Sequence, residues 1–247
     1  MLAIIGGSGL ARLPILEITH RQVVRTPFGD PSCALTFGRI AGINLVFIAR
    51  HGYGHSLAPH EINYRANIWA LQQQNVSGII AVGSVGGIRQ DMSPGSVVIP
   101  HDLIDYTYGR KHTFFEGLDK PVVHSDFTHP YSRELRLRLK AAADRAGIPV
   151  IDGGVYACTQ GPRLETIAEI NRFERDGADM VGMTAMPEAA LARELGLPYA
   201  LLAVVGNHSA GRAESHHRVD FSSSGAVLAQ AMKSVERILG ALCEART

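Results

Sequence analysis

Cysteine is scarce in this chain, and its few copies do not pair up. Cys33, Cys158 and Cys243 are far apart and odd in number, so they form neither a disulfide framework nor a CxxC metal site. That usage points to a reducing compartment, and the expected location is cytoplasmic. No apolar run approaches the roughly 20 residues that span a bilayer. The opening Met1-Leu2-Ala3-Ile4-Ile5-Gly6 lacks the charged start and cleavage site of a secretory signal. Neither sign of charge dominates: 24 Lys plus Arg stand against 23 Asp plus Glu, a net charge of +1. A nucleic-acid binder needs a basic face, so neither nucleic acid nor membrane is an expected partner. A local basic pocket for a small anion remains compatible with that balance. Internal repeats, low-complexity segments and linkers are also missing. The 247 residues are therefore expected to form one domain, 1–247, with a sizeable core.

What is present is an alternation of short β-rich runs and helical patterns. Strands are expected at Leu2–Ile5, Cys33–Phe37, Asn44–Ile48, Gly78–Val82, Ser96–Ile99, Gly154–Cys158 and Tyr199–Val205. Helices are expected at His60–Gln74, Arg133–Ala146, Leu164–Arg175, Pro187–Leu195 and Gly225–Leu242. Several strands are apolar throughout, which implies a sheet covered on both faces. The fold class is α/β, with a mixed or largely parallel central sheet.

Six strand exits or loops carry polar or glycine-rich sequence. Ile4-Ile5-Gly6-Gly7-Ser8-Gly9 runs from a strand into a glycine turn, where backbone N–H groups and the Ser8 hydroxyl suit an anion. A dinucleotide fingerprint would need glycine where Arg12 stands, which weighs against a nucleotide-dependent oxidoreductase. Arg50 and His51 follow an apolar run directly and offer a fixed guanidinium and a neutral or cationic donor, a pair that suits phosphate recognition. His51 and His55 have helical metal-ligand spacing, but Gly52 and Gly54 break a helix there, so no metal is expected. Val82-Gly83-Ser84-Val85-Gly86-Gly87 lets a ligand lie against the backbone, or is a plain tight turn. Glu165, in Gly161-Pro162-Arg163-Leu164-Glu165-Thr166, reads equally as a first-turn residue complementing a helix dipole. Thr184, after Met183 and the strand-like Asp179–Gly182, either holds an anion or caps the following helix. Asn207, in Val205-Gly206-Asn207, is either a turn former or a paired donor and acceptor at a strand end.

One stretch decides among these. Arg50-His51-Gly52 is followed by His55, Pro59 and Asn63-Tyr64, then Ala66-Asn67-Ile68-Trp69-Ala70-Leu71. With Gly6-Gly7-Ser8-Gly9-Leu10, Thr26-Pro27-Phe28-Gly29, Pro94-Gly95, Glu116-Gly117, Gly161-Pro162-Arg163, Met183-Thr184 and Pro187-Glu188, nearly the whole chain resembles the trimeric purine nucleoside phosphorylases. Within them it is most similar to the methylthioadenosine phosphorylase branch. The resemblance implies a mixed sheet flanked by helices, a homotrimer, and pentosyl transfer from a purine to inorganic phosphate. It implies no metal and no organic cofactor; phosphate is the co-substrate. It assigns phosphate binding to Ser8, Arg50, His51, Ser84 and Thr184. Met183 would lie against the ribose, and Val85, Gly86 and Leu164 would line the base site. His124 would reach the 5′ group of a neighbouring subunit's substrate, and the residues after Asp220 would close over that 5′ end.

The chain departs from that branch at the base. Methylthioadenosine enzymes have Asp where Asn207 and Ser209 stand, and Ser where Glu165 stands. Glu165 with Asn207 is the pairing of inosine and guanosine phosphorylases. A 6-oxopurine carries hydrogen on N1, which an ionised Glu165 accepts, whereas adenine presents a lone pair there. Asn207 can donate to O6 and accept from N7, although the same amide turned round would serve adenine. Asn207, Glu165 and His51 are thus the expected catalytic residues, with Ser209 beside the base. The expected reaction is phosphorolysis of 5′-methylthioinosine to hypoxanthine and 5-methylthioribose 1-phosphate. The alternatives are a methylthioadenosine phosphorylase, a general inosine/guanosine phosphorylase and a non-catalytic nucleoside-binding protein. His208, His216 and His217 bear on the second, because a 5′-hydroxyl wants a polar partner.

Overall fold

Alternate residues of a strand go to opposite faces of a sheet, and here both sets are apolar. In β1 (Leu2–Gly6), Ala3 and Ile5 enter one core while Leu2 and Ile4 enter another. The same division runs through β4 (Ile43–Ala49), β5 (Ile79–Gly87) and β11 (Tyr199–His208). Helices α1 (Tyr64–Gln72) and α4 (Ala185–Glu194) cover the first face; α2 (Arg133–Ala146) and α5 (Ser224–Glu244) cover the second. The computed structural model describes residues 1–117, 121–219 and 224–244.

The remaining strands are β2 (Glu17–Gln22), β3 (Leu35–Ile40), β6 (Val97–Ile99), β7 (Asp102–Asp105), β8 (Ile151–Asp152), β9 (Val155–Cys158) and β10 (Met180–Gly182). All join one mixed 11-stranded sheet, in the order β2-β3-β4-β1-β5-β10-β9-β7, with β11, β6 and β8 branching from β5. Helix α3 (Ile167–Arg175) buries Ile170 and Phe173 against Ala157 and Val181. The expected mixed sheet flanked by helices is the fold found.

β5 is the branch point. It pairs in parallel with β1 through Ile79–Ala81, and antiparallel with β10 through Gly86–Gly87. Between those contacts the sheet parts, and Val82 O accepts a hydrogen bond from Arg50 Nη1 instead. β11 runs along the other side of β5 with a register shift between Val205 and Asn207. That bulge carries the strand three residues beyond the expected Val205 and re-aims Asn207.

Three strands differ from expectation by being found at all. β2 is polar and exposed along its length, and β7 and β8 are short, so none leaves an apolar pattern to read. Helix starts also move. Asn63 caps α1, its side chain accepting from Ala66 N, so His60–Asn63 lie outside the helix. Thr166 caps α3 in a reciprocal box with Glu169. Glu165 therefore precedes the helix and does not complement its dipole. α4 begins at Ala185, earlier than expected, with Met186 pushed out of helical backbone by the following proline.

One buried ion pair ties the first strand layer to α4. Arg50, directly after β4, donates from Nε to Glu188 Oε2 at 2.7 Å and from Nη2 to Glu188 Oε1 at 2.7 Å. Tyr199, at the start of β11, donates its hydroxyl to Glu188 Oε1 at 2.8 Å. Arg50 is 1 % exposed and Glu188 0 %. Glu188→Ala is expected to cost about 3–5 kcal/mol of unfolding free energy, because it strands a buried cation. Urea unfolding followed by circular dichroism measures this; a loss below about 1 kcal/mol would mean the pair is not what holds the layers here.

Candidate active site

The ends of β1, β4, β5, β10 and β11 meet at a cleft of about 790 Å³, including the solvent at its mouth. Every residue expected to bind phosphate, ribose or base lines it, whereas His124 and the three histidines weighed for a 5′-hydroxyl do not. His124 is exposed and lies off that wall. The residues expected to close the 5′ end follow Asp220, and the first of them, 221–223, lie outside the described residues.

The residues expected to hold phosphate, Ser8, Arg50, His51, Ser84 and Thr184, all line the cleft and make up its expected phosphate side. Gly7 lets this side assemble: a Cβ there would stand 2.6 Å from Val82 O and 2.7 Å from Arg50 Nη1. Burial opposes the Arg50 charge, but the Glu188 carboxylate outweighs it and the guanidinium stays ionised. Three of its hydrogens are spent on Glu188 and Val82, and one remains on each of Nη1 and Nη2. Thr184 occupies the cap position of α4 but makes no side-chain cap bond, so its hydroxyl is not consumed by the helix.

His51 differs from the expected hydrogen-bond donor. Its Nδ1 lies 2.8 Å from Leu57 O. A carbonyl only accepts, so Nδ1 carries the hydrogen and Nε2 the lone pair. Burial holds the ring's pKa down to about 4, helped by the nearby Arg50 charge and opposed by the Leu57 bond. Neutral His51 therefore offers a ligand an acceptor.

The residues expected at ribose and base, Val85, Gly86, Leu164, Glu165, Met183, Asn207 and Ser209, line the cleft as well, with Val181. Glu165 Oε1 accepts from Thr159 Oγ1 at 2.6 Å. Burial raises the Glu165 carboxyl above the usual range, and the Thr159 bond pulls it back. Asn207 Nδ2 donates to His208 O at 2.8 Å. That bond fixes which end of the amide is which. Turning it round would set oxygen against oxygen, so Asn207 discriminates more than its sequence context suggests. Ser209 Oγ is buried without a hydrogen-bond partner among the described residues. It sits where a Cβ on Gly86 would stand 2.7 Å away, so glycine makes room for it. A buried, unpaired hydroxyl on a cleft wall marks a place for a ligand atom.

A family model described as the phosphorylase superfamily matches residues 1–244. The chain belongs to that superfamily. It is 57 % identical over 210 residues to a protein of Pseudomonas syringae pv. tomato named probable S-methyl-5′-thioinosine phosphorylase, covering 85 % of each chain. It is 46 % identical over 215 residues to the 6-oxopurine nucleoside phosphorylase of Pyrococcus furiosus, covering 85 % of this chain and 80 % of that one. Among solved structures, the methylthioadenosine phosphorylase of Schistosoma mansoni in complex with adenine superposes with a TM-score of 0.94 at 31 % identity, over 99 % of this chain and 91 % of that one.

Several residues of this phosphorylase's cleft escape a reading of the sequence. Val181, Gly182, Ala210 and Val219 line it with no role expected of them, while Pro59 reads only as a family marker and Gly83 only as part of a glycine turn. Glu188 reads there only as a family marker, although it holds Arg50. Arg110 gives no signal at all. It is buried and donates from Nη1 to Met183 O and Met186 O at 2.8 and 2.6 Å, and from Nη2 to Gln160 O at 2.8 Å. It thereby braces the two loops that carry Met183 and Glu165. Among the described residues, no group of three or more His, Cys, Asp or Glu could hold a metal ion, and no helix is long and apolar enough to cross a membrane.

Imidazole nitrogen NMR of His51 across a pH series is expected to show the hydrogen on Nδ1 and a ring that stays neutral well below 6.5, its ordinary value. The unfolded ring gains its proton near pH 6.5 and the folded one only near 4, so this residue's contribution to stability falls as pH drops through that window. A ring titrating at its ordinary value refutes the acceptor assignment.

Proposed function

We propose that this phosphorylase cleaves S-methyl-5′-thioinosine with inorganic phosphate, yielding hypoxanthine and 5-methylthioribose 1-phosphate. The observation that carries the reading is that Glu165 and an amide-locked Asn207 both line the cleft. An ionised Glu165 accepts the N1 hydrogen that a 6-oxopurine has and adenine lacks. The second Nδ2 hydrogen of Asn207 serves O6, and Oδ1 receives N7–H as the base departs. A site built on such bonds can reject the wrong base by up to about 10⁴–10⁵-fold. The names of the Pseudomonas and Pyrococcus relatives agree with a 6-oxopurine base.

The 5′ preference has support from side chains that turn away. His208 pairs with Glu214 at 3.1 Å, and His216 stacks on His217 with ring centres 4.9 Å apart. None of the three is on the cleft wall, whereas Pro59 and Val219 are. Apolar walls suit a methylthio group better than a hydroxyl.

Phosphate would take the side expected for it. The Ser8, Ser84 and Thr184 hydroxyls and the two remaining Arg50 hydrogens donate to it, and His51 accepts from its P–OH. The transition state puts positive charge on the ribose and negative charge on the purine. A pinned phosphate contributes proximity and stabilises the sugar cation, while Glu165 and Asn207 hold the leaving base. No cofactor enters this scheme. A cytoplasmic homotrimer, with His124 reaching a neighbour's 5′ group, completes the reading.

Steady-state assays with inosine, guanosine, adenosine, methylthioinosine and methylthioadenosine, with and without phosphate, test it. Methylthioinosine is expected to have the highest kcat/KM, and base release to require phosphate. A higher value for methylthioadenosine refutes the base reading, and a higher value for inosine refutes the 5′ reading. The double variant Asn207→Asp, Glu165→Ser is expected to raise the adenine-to-hypoxanthine preference ratio by at least about 100-fold. An unchanged ratio would place base choice elsewhere.

A further inference from the structure

Thr159 directly follows β9, and its backbone is held from two sides. Its N–H donates to Gly182 O at 2.8 Å, and its carbonyl accepts from Arg110 Nη2 at 3.2 Å. A β-branched side chain on a fixed backbone has few rotamers to choose from. Its hydroxyl hydrogen therefore has two acceptors within reach: Glu165 Oε1 at 2.6 Å and Gly182 O at 3.4 Å. The shorter contact has the length of a charge-assisted bond to a carboxylate.

We propose that Thr159 is a positioning residue for purine choice, its hydroxyl holding Glu165 as an ionised acceptor directed at the purine N1–H. The proposal rests on the reading of Glu165 as the N1 partner. Thr159 has no place on the cleft wall and acts through Glu165 alone. Burial drives Glu165 toward its neutral acid, and a neutral acid would donate to adenine N1 rather than accept from hypoxanthine. The Thr159 hydroxyl opposes that drift, because it stabilises the anion more than the acid. When Glu165 is protonated, the hydroxyl can turn to Gly182 O and accept instead, so Thr159 follows the state of its partner.

The other charged groups around Glu165 are already committed. Arg163 lowers its pKa but is bonded to Glu169 at 2.7 and 2.8 Å, and Glu169 itself raises it. Tyr106, Tyr108 and Arg172 line a recess behind Glu165; Arg172 and Tyr106 both pair with Asp176. Across the cleft, Arg50 is paired with Glu188 and His51 is neutral. The side-chain hydrogen bond that Glu165 receives comes from Thr159.

The experiment is the pH profile of kcat/KM for methylthioinosine and methylthioadenosine in the full-length enzyme. Thr159→Val is expected to move the acid limb for methylthioinosine up by about one pH unit, and to raise the methylthioadenosine ratio several-fold near pH 6. Thr159→Ala repeats the measurement should the valine disturb folding. Thr159→Ser keeps the hydroxyl and is expected to restore the wild-type limb. The limb position is read independently of plateau height, which a purely structural defect would lower. A limb unmoved in both Thr159→Val and Thr159→Ala, or moved equally in Thr159→Ser, overturns the proposal. Glu165→Leu, which offers N1–H no acceptor, separates the two layers of inference. If that variant loses base discrimination while the Thr159→Val limb stays put, the Thr159 role alone fails. If it keeps full kcat/KM for methylthioinosine, the N1 reading fails and the Thr159 role with it.

Discussion

The bidentate pair between Arg50 and Glu188 is the contact on which the rest of the site depends. It joins the loop after β4 to α4, and Tyr199 adds the start of β11. A buried ion pair is a weak source of stability by itself, since desolvation offsets much of the attraction. Its use here is geometric. With three of its donors committed, the guanidinium cannot swing, and its two unspent hydrogens keep fixed directions. The cation is also balanced before any anion arrives. Phosphate would thus meet oriented donors more than an excess of positive charge.

The second constraint is the parting of the sheet along β5. A strand paired on both sides has no room for a ligand against its backbone. Here β1 leaves after Ala81 and β10 joins at Gly86, and the intervening residues supply Ser84 and Val85 to the cleft. The glycines around it act by subtraction: Gly7 admits the Arg50 guanidinium, and Gly86 admits the Ser209 hydroxyl. On the far side, the β11 bulge turns Asn207 toward the same space. Strand ends alone would have given a shallow groove; the branch gives it depth.

Much of this is legible in the sequence, for physical reasons that differ by residue. Apolar strands such as Ile79–Val82 announce a sheet covered twice, and α2 is bounded correctly because Ser132 and Gly147 mark its ends. Short polar strands such as β2 carry no such pattern. Of the site, polar residues at strand exits are visible one by one, and resemblance groups them. What stays hidden are partners distant in sequence. Nothing at position 110 announces that its guanidinium will collect carbonyls from residues 160, 183 and 186. Nothing at Thr159 announces Glu165. The direction in which a group donates is equally hidden: His51 reads as a donor, and one carbonyl reverses it.

The bond from Asn207 to the carbonyl of His208 has a genetic consequence. Its acceptor is main chain, which no substitution at a neighbouring side chain can remove. Drift elsewhere in the pocket leaves the amide facing the same way, so a change in what position 207 offers the base has to pass through codon 207 itself. Asn and Asp codons are one nucleotide apart, whereas Glu and Ser codons are further apart. A lineage moving stepwise toward adenine would therefore acquire Asn207→Asp while Glu165 was still in place, with two carboxylates facing one purine. That crossing point is unfavourable for either base, and it would tend to keep the two specificities apart.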